Sequence, residues 1–209
     1  MGADFIWLLN NDTVAPADTL TKLVAAGREK RVGIVGTVLL YLANPGAVQA
    51  WGGGRVLRWM GYVEQFTAPR RFGNDSFLTF ASALIRRELL LEIGLMDEGY
   101  FMYYDDLDFC LRARGAGWQL AVAEDTAVLH REGGSADATS SLRMERIVTG
   151  SGLRFLKLHA PIPWIAMTLF VGSRIGKRLA HGNFAAVGAV WMGVSDWRAY
   201  GGSVLPKDA

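Results

Sequence analysis

Apolar and polar positions fall into blocks that separate strands from helices along the chain. Phe5-Ile6-Trp7-Leu8-Leu9 is a continuous apolar run of strand length that stops abruptly at Asn10-Asn11-Asp12, so it reads as a buried parallel strand. After Pro16, the residues Leu20, Leu23, Val24 and Gly27 recur at helical spacing as far as the basic cluster Arg28 to Arg31, which predicts a helix. Val32 to Tyr41 is a second apolar run. Strand, helix and strand within about 38 residues make a βαβ unit. The predicted fold class is therefore α/β, a sheet with helices on its faces.

Further along, Asn44-Pro45-Gly46 and Trp51-Gly52-Gly53-Gly54 interrupt the pattern. They predict a loop over residues 43–54, in which a glycine triplet lets the backbone approach something closely. Arg55 to Phe66 and Phe77 to Ile85 have strand composition, and Arg86 to Ile93 reads as a short helix stopped by Gly94. Tyr104 to Arg114 is a second helix, ended by Gly115 and Gly117. Trp118 to Ala123 and Thr126 to His130 read as two short strands, after which Gly133-Gly134-Ser135 opens a polar loop. From Ser141 the pattern is helical and basic with no further strand, and neither internal repeats nor low-complexity segments interrupt the chain.

Composition narrows the class. With 51% hydrophobic residues, 20% charged residues and a net charge of +2 over 209 residues, the chain is too apolar and too weakly charged to remain disordered. Its one cysteine, Cys110, excludes an internal disulfide framework and a multi-cysteine zinc site, and a reducing cytosol fits. Met1-Gly2-Ala3-Asp4 lacks the basic start of a signal peptide, and Ile6 fails the Ser/Thr position of a myristoylation site. Ala160 to Ser173 and Gly182 to Ser195 are uncharged stretches of 14 residues each, shorter than the roughly 20 that span a bilayer. Membrane contact is expected to be peripheral. Charge is uneven: residues 1–142 hold 13 Lys/Arg against 17 Asp/Glu, and residues 143–209 hold 9 against 3. An acidic body with a basic, Trp-containing tail suggests one chemical role and one role in attachment.

Three places carry candidate chemistry. In open α/β sheets ligands bind at the carboxyl ends of strands, where Asn10-Asn11-Asp12 falls. The Asp12 carboxylate is a hard oxygen ligand suited to Mg²⁺ or Mn²⁺, and the amides of Asn10 and Asn11 suit a ribose, a phosphate or metal-bound water. The plainer reading is a turn, since Asn and Asp hydrogen-bond locally after strands. A phosphatase-type aspartyl nucleophile is disfavoured because position 10 is an uncharged amide. Tyr103-Tyr104-Asp105-Asp106-Leu107-Asp108 puts three carboxylates at a helix start, where each also complements the helix dipole. Their crowding is expected to raise the pKa of at least one, which suits a general base. Asp108 lies four residues before Arg112, the spacing of a structural ion pair, leaving Asp105 and Asp106 for chemistry. His130 ends a short strand, and a lone histidine is more often structural than a ligand.

Taken as an ordered series, these segments resemble the family 2 glycosyltransferases of GT-A fold, particularly rhamnosyltransferase-like enzymes of bacterial surface polysaccharide synthesis. Leu8-Leu9-Asn10-Asn11-Asp12-Thr13 resembles the metal and nucleotide-sugar motif of that family. Phe80 to Arg87, Gly94 to Glu98 and Phe101 to Arg112 are similar to its acceptor-side signature, and Val128-Leu129-His130 with Gly134-Ser135 resembles the segment whose histidine completes the metal site. The likeness runs from about residue 3 to residue 155. Asp105 stands where most members carry Glu.

The resemblance implies a catalytic base at Asp106, with Asp105 beside it, and a Mg²⁺ or Mn²⁺ site at Asp12 and His130. It implies substrate contacts from Asn10, Asn11, Trp51 and Arg112, with Trp51 equally readable as a core residue beside a tight turn. The implied partners are a nucleotide-diphosphate sugar donor and a glycan or lipid-linked acceptor, with no nucleic acid. Transfer to an acceptor hydroxyl would invert the anomeric centre. Family members begin with roughly 70 to 90 further residues that bind the nucleoside, the size of two βα units. Residues 1–142 are accordingly expected to form a partial, N-terminally truncated GT-A domain, with 143–209 a basic amphipathic helical tail. That tail would lie peripherally on the inner membrane face, or pack on the catalytic domain or on a second subunit of a homo-oligomer. The competing class is a non-catalytic fragment or interaction subunit lacking the nucleotide-binding half.

Overall fold

The computed structural model describes residues 2–131 and 138–199. In chain order its elements are β1 (Phe5–Leu9), β2 (Thr13–Val14), α1 (Thr19–Gly27), β3 (Val32–Tyr41), β4 (Asn44–Trp51), β5 (Gly53–Leu57), β6 (Tyr62–Gln65), β7 (Ser76–Leu78) and β8 (Ser82–Arg86). They are followed by α2 (Arg87–Ile93), α3 (Asp105–Gly115), β9 (Gln119–His130), α4 (Ala138–His159), α5 (Pro163–Ala180) and α6 (Phe184–Ala199). The loop predicted at Gly133-Gly134-Ser135 lies outside the described residues.

The chain divides into two compact units. The first holds residues up to Val56, Val63–Leu95 and Phe109–Gly134; the second holds Leu57–Tyr62, Met96–Asp108 and Ser135–Ala209. The first unit is built on a mixed sheet of order β1-β8-β3-β9-β2, with β4 paired to the far end of β3. The apolar run of β3 is buried along nearly its whole length, as expected of a central strand covered on both faces. Leu23 of α1 packs with Val32, Val35, Leu84 and Ala123, flanked by Phe5 and Trp7. Each such fully buried aliphatic side chain contributes about 1.5–3 kcal/mol.

Four expectations need correction. β1 is not a buried parallel strand: it pairs antiparallel with β8 at one side of the sheet, and Ile6 and Leu9 are 45% and 42% exposed. β8 is also antiparallel to β3, so β1 and β3 do run parallel, as a βαβ unit requires, with β8 slotted between them. Residues 44–51 and 53–54 are strand rather than loop, because their glycines serve strand crossing. A Cβ on Gly53 would meet the Phe77 carbonyl oxygen at 2.1 Å, and one on Gly54 the Glu64 carbonyl oxygen at 2.0 Å. The closely approached group is the neighbouring backbone of a second sheet, β6-β5-β7. The Phe77 to Ile85 run is split at Thr79 to Ala81, its two halves β7 and β8 belonging to different sheets. Finally, the two short strands ending at His130 are one strand, β9, with a register break that leaves Glu124, Asp125 and Thr126 unpaired with β3. The Lys22 ammonium donates to the Asp125 carbonyl at 2.9 Å, and the Thr19 and Thr126 hydroxyls meet at 3.0 Å.

In the second unit α4, α5 and α6 pack together around Phe155, Leu156, Phe170 and Val190. Small residues set the spacing: a Cβ on Gly152 would fall 2.4 Å from the Phe170 ring, and one on Gly193 would fall 2.4 Å from the Arg146 carbonyl. Glu145 pairs with Arg174 at 2.9 Å and with Arg178 at 2.5 Å, and Arg146 pairs with Asp196. Arg146, Arg174 and Arg178, three of the nine Lys and Arg residues of the region 143–209, are thus held by carboxylates of the same unit. No described helix is long and apolar enough to cross a membrane.

Candidate active site

In the first unit, β1, β3 and β9 run in one direction, and Asp12 and His130 both sit at their carboxyl ends. Asn10-Asn11 does form the predicted turn: the Asn10 N–H donates to the Ala81 carbonyl at 3.0 Å, and the Thr13 hydroxyl donates to the Asn10 carbonyl at 2.6 Å. The turn reverses the chain into β2, which pairs Thr13 with His130. The Arg131 N–H then donates to the Asp12 carbonyl at 3.0 Å. This double anchoring brings Asp12 Oδ1 to 3.3 Å from His130 Nε2. The turn reading of Asn10 to Asp12 holds, and the turn leaves the Asp12 carboxylate beside His130.

The other imidazole nitrogen, Nδ1, lies 2.8 Å from Gln49 Oε1. Pairing of β3 with β4 jumps from Leu39–Ala50 to Leu40–Val48, which makes Gln49 the extra residue of a bulge. A bulge re-aims a side chain beside a site. With Gln49 accepting the Nδ1 proton, Nε2 presents a lone pair toward the Asp12 carboxylate. Two facing lone pairs need a cation or a second imidazole proton between them. One hard carboxylate oxygen and one imidazole nitrogen, the latter oriented from behind, are donors that could help hold a Mn²⁺ or Mg²⁺ ion. Among the described residues no group of three or more His, Cys, Asp or Glu side chains gathers in this way. The loop expected over residues 43–54 gives Gln49 no site role; the only signal for it in the sequence is one polar residue inside the apolar run Ala47 to Trp51.

Trp51 ends β4 before Gly52, whose φ is +75°. Its indole N–H donates to Glu124 Oε1 at 3.3 Å on the bulge of β9. The Arg112 guanidinium donates to the Ile93 and Leu95 carbonyls at 3.1 and 2.9 Å, at the end of α2.

The second unit holds the first turn of α3. Tyr103 and Tyr104, directly before Asp105, have φ of +65° and +66°, a conformation costing L-residues roughly 1–2 kcal/mol each. The surroundings hold it in place. The Tyr104 hydroxyl donates to the Gly61 carbonyl at 2.7 Å, its ring lies 5.3 Å from that of Phe155, and the Ser151 hydroxyl donates to the Met102 carbonyl at 2.7 Å. Burial pushes the Tyr104 phenol up to about 12, so it stays a donor. Upstream, Arg154 forks onto both Asp97 oxygens, and the Gly99 N–H donates to Asp97 Oδ1 at 2.8 Å.

The three carboxylates of this turn have different surroundings. Asp108 is buried and accepts from His159 Nε2 at 2.7 Å. Burial raises the Asp105 pKa, opposed by backbone N–H groups of Asp105 and Asp106, with Asp108 repulsion the smallest contribution. One carboxyl is raised as expected, but desolvation rather than crowding is the leading cause. Asp106 is half-buried beside it, with Oδ1 accepting the Leu107 N–H at 2.9 Å.

The mixed α/β sheet with its helices defines a GT-A fold, the fold found in glycosyltransferases. A sequence model described as "Glycosyltransferase like family 2" matches residues 2–149, so the chain belongs to that family. Among solved structures, GalNAc-T7 with UDP, GalNAc and Mn²⁺ aligns over 94% of this chain and 40% of its own length at 12% identity and a TM-score of 0.56. The mannosyltransferase PcManGT from Pyrobaculum calidifontis, in complex with GDP-Man and Mn²⁺, aligns over 97% of this chain and 52% of its own length at 14% identity and a TM-score of 0.47. The uncharacterized protein y4gI of Sinorhizobium fredii (strain NBRC 101917 / NGR234) is 29% identical over 143 residues, covering 63% of this chain and 16% of the relative. The chain thus spans about half or less of the length of each of these three proteins.

Proposed function

We propose that this chain carries the metal-binding and acceptor-side parts of an inverting glycosyltransferase. In that reading it moves a sugar from a nucleotide diphosphate to a hydroxyl of a glycan or lipid-linked acceptor, in bacterial surface polysaccharide synthesis of the rhamnosyltransferase type. The observation that carries the reading is the facing pair Asp12 and His130 at the carboxyl ends of the parallel strands, with Gln49 fixing the imidazole. Asp12 and His130 would hold Mg²⁺ or Mn²⁺, which when bound supplies Lewis-acid stabilisation of the departing diphosphate. Asp106 takes the proton of the attacking hydroxyl, a contribution of about 10² to 10⁴ in rate for a positioned base. Burial raises the Asp105 carboxyl above its ordinary value, so Asp105 holds a proton more readily than a free carboxyl does. Asn10 and Asn11 contact the donor, and Trp51 contributes to the sugar wall.

The open edge of β1 supports the expectation of truncation. Among the described residues β1 pairs only with β8, and its free side presents an apolar strand of the kind that a sheet normally continues. Nucleoside-binding strands pairing there would complete the donor site.

Titration calorimetry of the chain with Mn²⁺, alone and with UDP or GDP, tests the metal site. Binding that Asp12→Asn and His130→Ala each remove is the expected result, and unchanged binding in both variants overturns it. In a preparation that turns over a nucleotide-diphosphate sugar, Asp106→Asn should abolish transfer while leaving Mn²⁺ binding intact. Retained turnover removes Asp106 as the base.

A further inference from the structure

α5 and α6 form a helical hairpin whose inward and outward faces differ in kind. The turn is compact: Gly182 takes a φ of +66°, the Gly182 N–H donates to the Leu179 carbonyl at 2.9 Å, and Asn183 Oδ1 accepts the Ala186 N–H at 3.0 Å, starting α6. Inward, Ala166 and Phe170 of α5 and Ala189, Val190 and Val194 of α6 are buried. Outward, Ile165, Leu169, Gly172, Gly176 and Leu179 recur at intervals of four and three residues along α5, all exposed. Along α6, Phe184, Gly188, Trp191 and Ser195 do the same. Phe184 is 72% exposed, Trp164 at the start of α5 is 65% exposed and Trp191 is 54% exposed. A Cβ on Gly172, Gly176 or Gly188 would meet nothing within 4 Å, so among the described residues nothing covers the face at these positions. A surface helix of a water-soluble protein ordinarily carries its charges on this side.

Charge identifies the occupant. From Ile162 to Ala199 no exposed position is Asp or Glu; the one acid, Asp196, is half-buried and paired with Arg146. The exposed charged side chains there are Lys177 and Arg198, while Arg174 and Arg178 are held by Glu145. A second copy of this face would bring apolar stripes together but would offer these cations no counter-charge, because a two-fold interface is self-complementary. An anionic bilayer offers apolar depth for Leu and Phe, the interfacial zone that Trp prefers, and anionic headgroups for Lys177 and Arg198. We propose that the outward face of α5 and α6 is a monotopic docking surface for an anionic lipid bilayer, engaged in the interfacial plane without spanning it. The proposal stands apart from the transfer reaction, since it uses none of the residues assigned to it.

Co-sedimentation of the full chain with vesicles of phosphatidylcholine alone, or with about 30% phosphatidylglycerol, tests this surface. The expected result is stronger binding to the phosphatidylglycerol vesicles. The exposed triple variant Trp164→Ser, Leu169→Ser, Trp191→Ser should weaken binding at least about tenfold, the scale of losing one large buried apolar group. Lys177→Glu with Arg198→Glu should abolish the preference for anionic lipid, and circular dichroism should show both variants folded. No vesicle binding, equal binding to both lipids, or undiminished binding by the triple variant overturns the proposal. So does a dimer in sedimentation velocity that the triple variant dissociates while neither protein binds vesicles, which would assign the face to a second copy.

Discussion

A single side chain decides how the His130 imidazole is used. Gln49 Oε1 lies 2.8 Å from His130 Nδ1, which determines which imidazole nitrogen faces Asp12. Partners of this kind typically contribute 10–100-fold to metal affinity. Gln49→Ala should therefore weaken Mn²⁺ binding by about 10–100-fold in calorimetry while leaving the unfolding midpoint near that of the parent. Equal affinity would leave Gln49 a strand residue only. Asp105 makes a different prediction, in stability against pH. Its folded pKa is raised by burial above the ordinary value of 3.8, so the folded state binds the proton more tightly than the unfolded chain. Stability from this group is complete below 3.8 and is lost as pH rises through the raised folded value. Asp105→Asn keeps an acceptor for the same backbone N–H groups and removes the titration. The variant should gain stability over the parent progressively as urea unfolding is repeated from about pH 4 to pH 7; a difference that stays constant with pH contradicts the assigned cause.

At the scale of elements, the same residue type plays opposite parts. Gly53 and Gly54 lie where β5 crosses its neighbours, with carbonyl oxygens 2.1 and 2.0 Å from the place a Cβ would take. Backbone cannot move aside as a flexible side chain does, so Gly53→Ala should cost about 3 kcal/mol or more in denaturant unfolding. Gly176 lies mid-helix in α5 with open space around it, and Gly176→Ala should stabilise by roughly 0.5–1 kcal/mol. These glycines also mark the limit of what the sequence discloses. β3 is legible to its ends, Val32 and Tyr41, because a central strand is apolar throughout, and α2 is legible because Gly94 at φ +80° stops it. Glycines that permit strand crossing and glycines of a loop are identical in the sequence, so the sequence does not disclose β4 and the start of β5. The insertion of β8 between β1 and β3 depends on pairing between segments about 75 residues apart, as Trp7 Nε1 donating to Ser82 Oγ illustrates, and no local pattern carries it. The site divides likewise: Asp12, His130, Asp105 and Asp106 stand out by type and spacing, whereas Gln49 depends on a bulge made by tertiary pairing.

For the molecule as a whole, the free side of β1 has the largest consequence. β1 offers Phe5 to Leu9 with one row of backbone donors and acceptors unmatched by any described strand. Natural sheets protect such rows with charge, proline, a bulge or a cover, and the five residues of β1 contain neither a charge nor a proline. Two chains can therefore pair edge to edge, and the isolated chain should associate with rising concentration. Ile6 is the place to interrupt this, because it is 45% exposed and a lysine there points its charge into water at a stability cost within about 0.5 kcal/mol. In sedimentation velocity across a concentration series, Ile6→Lys should remain monomeric where the parent associates, with an unchanged melting temperature. The same variant should bind vesicles as the parent does, since the outward face of α5 and α6 uses other residues. If the parent itself remains monomeric at every concentration, the edge is protected by something other than a described strand, and the proposed pairing of further nucleoside-binding strands at β1 loses its structural support.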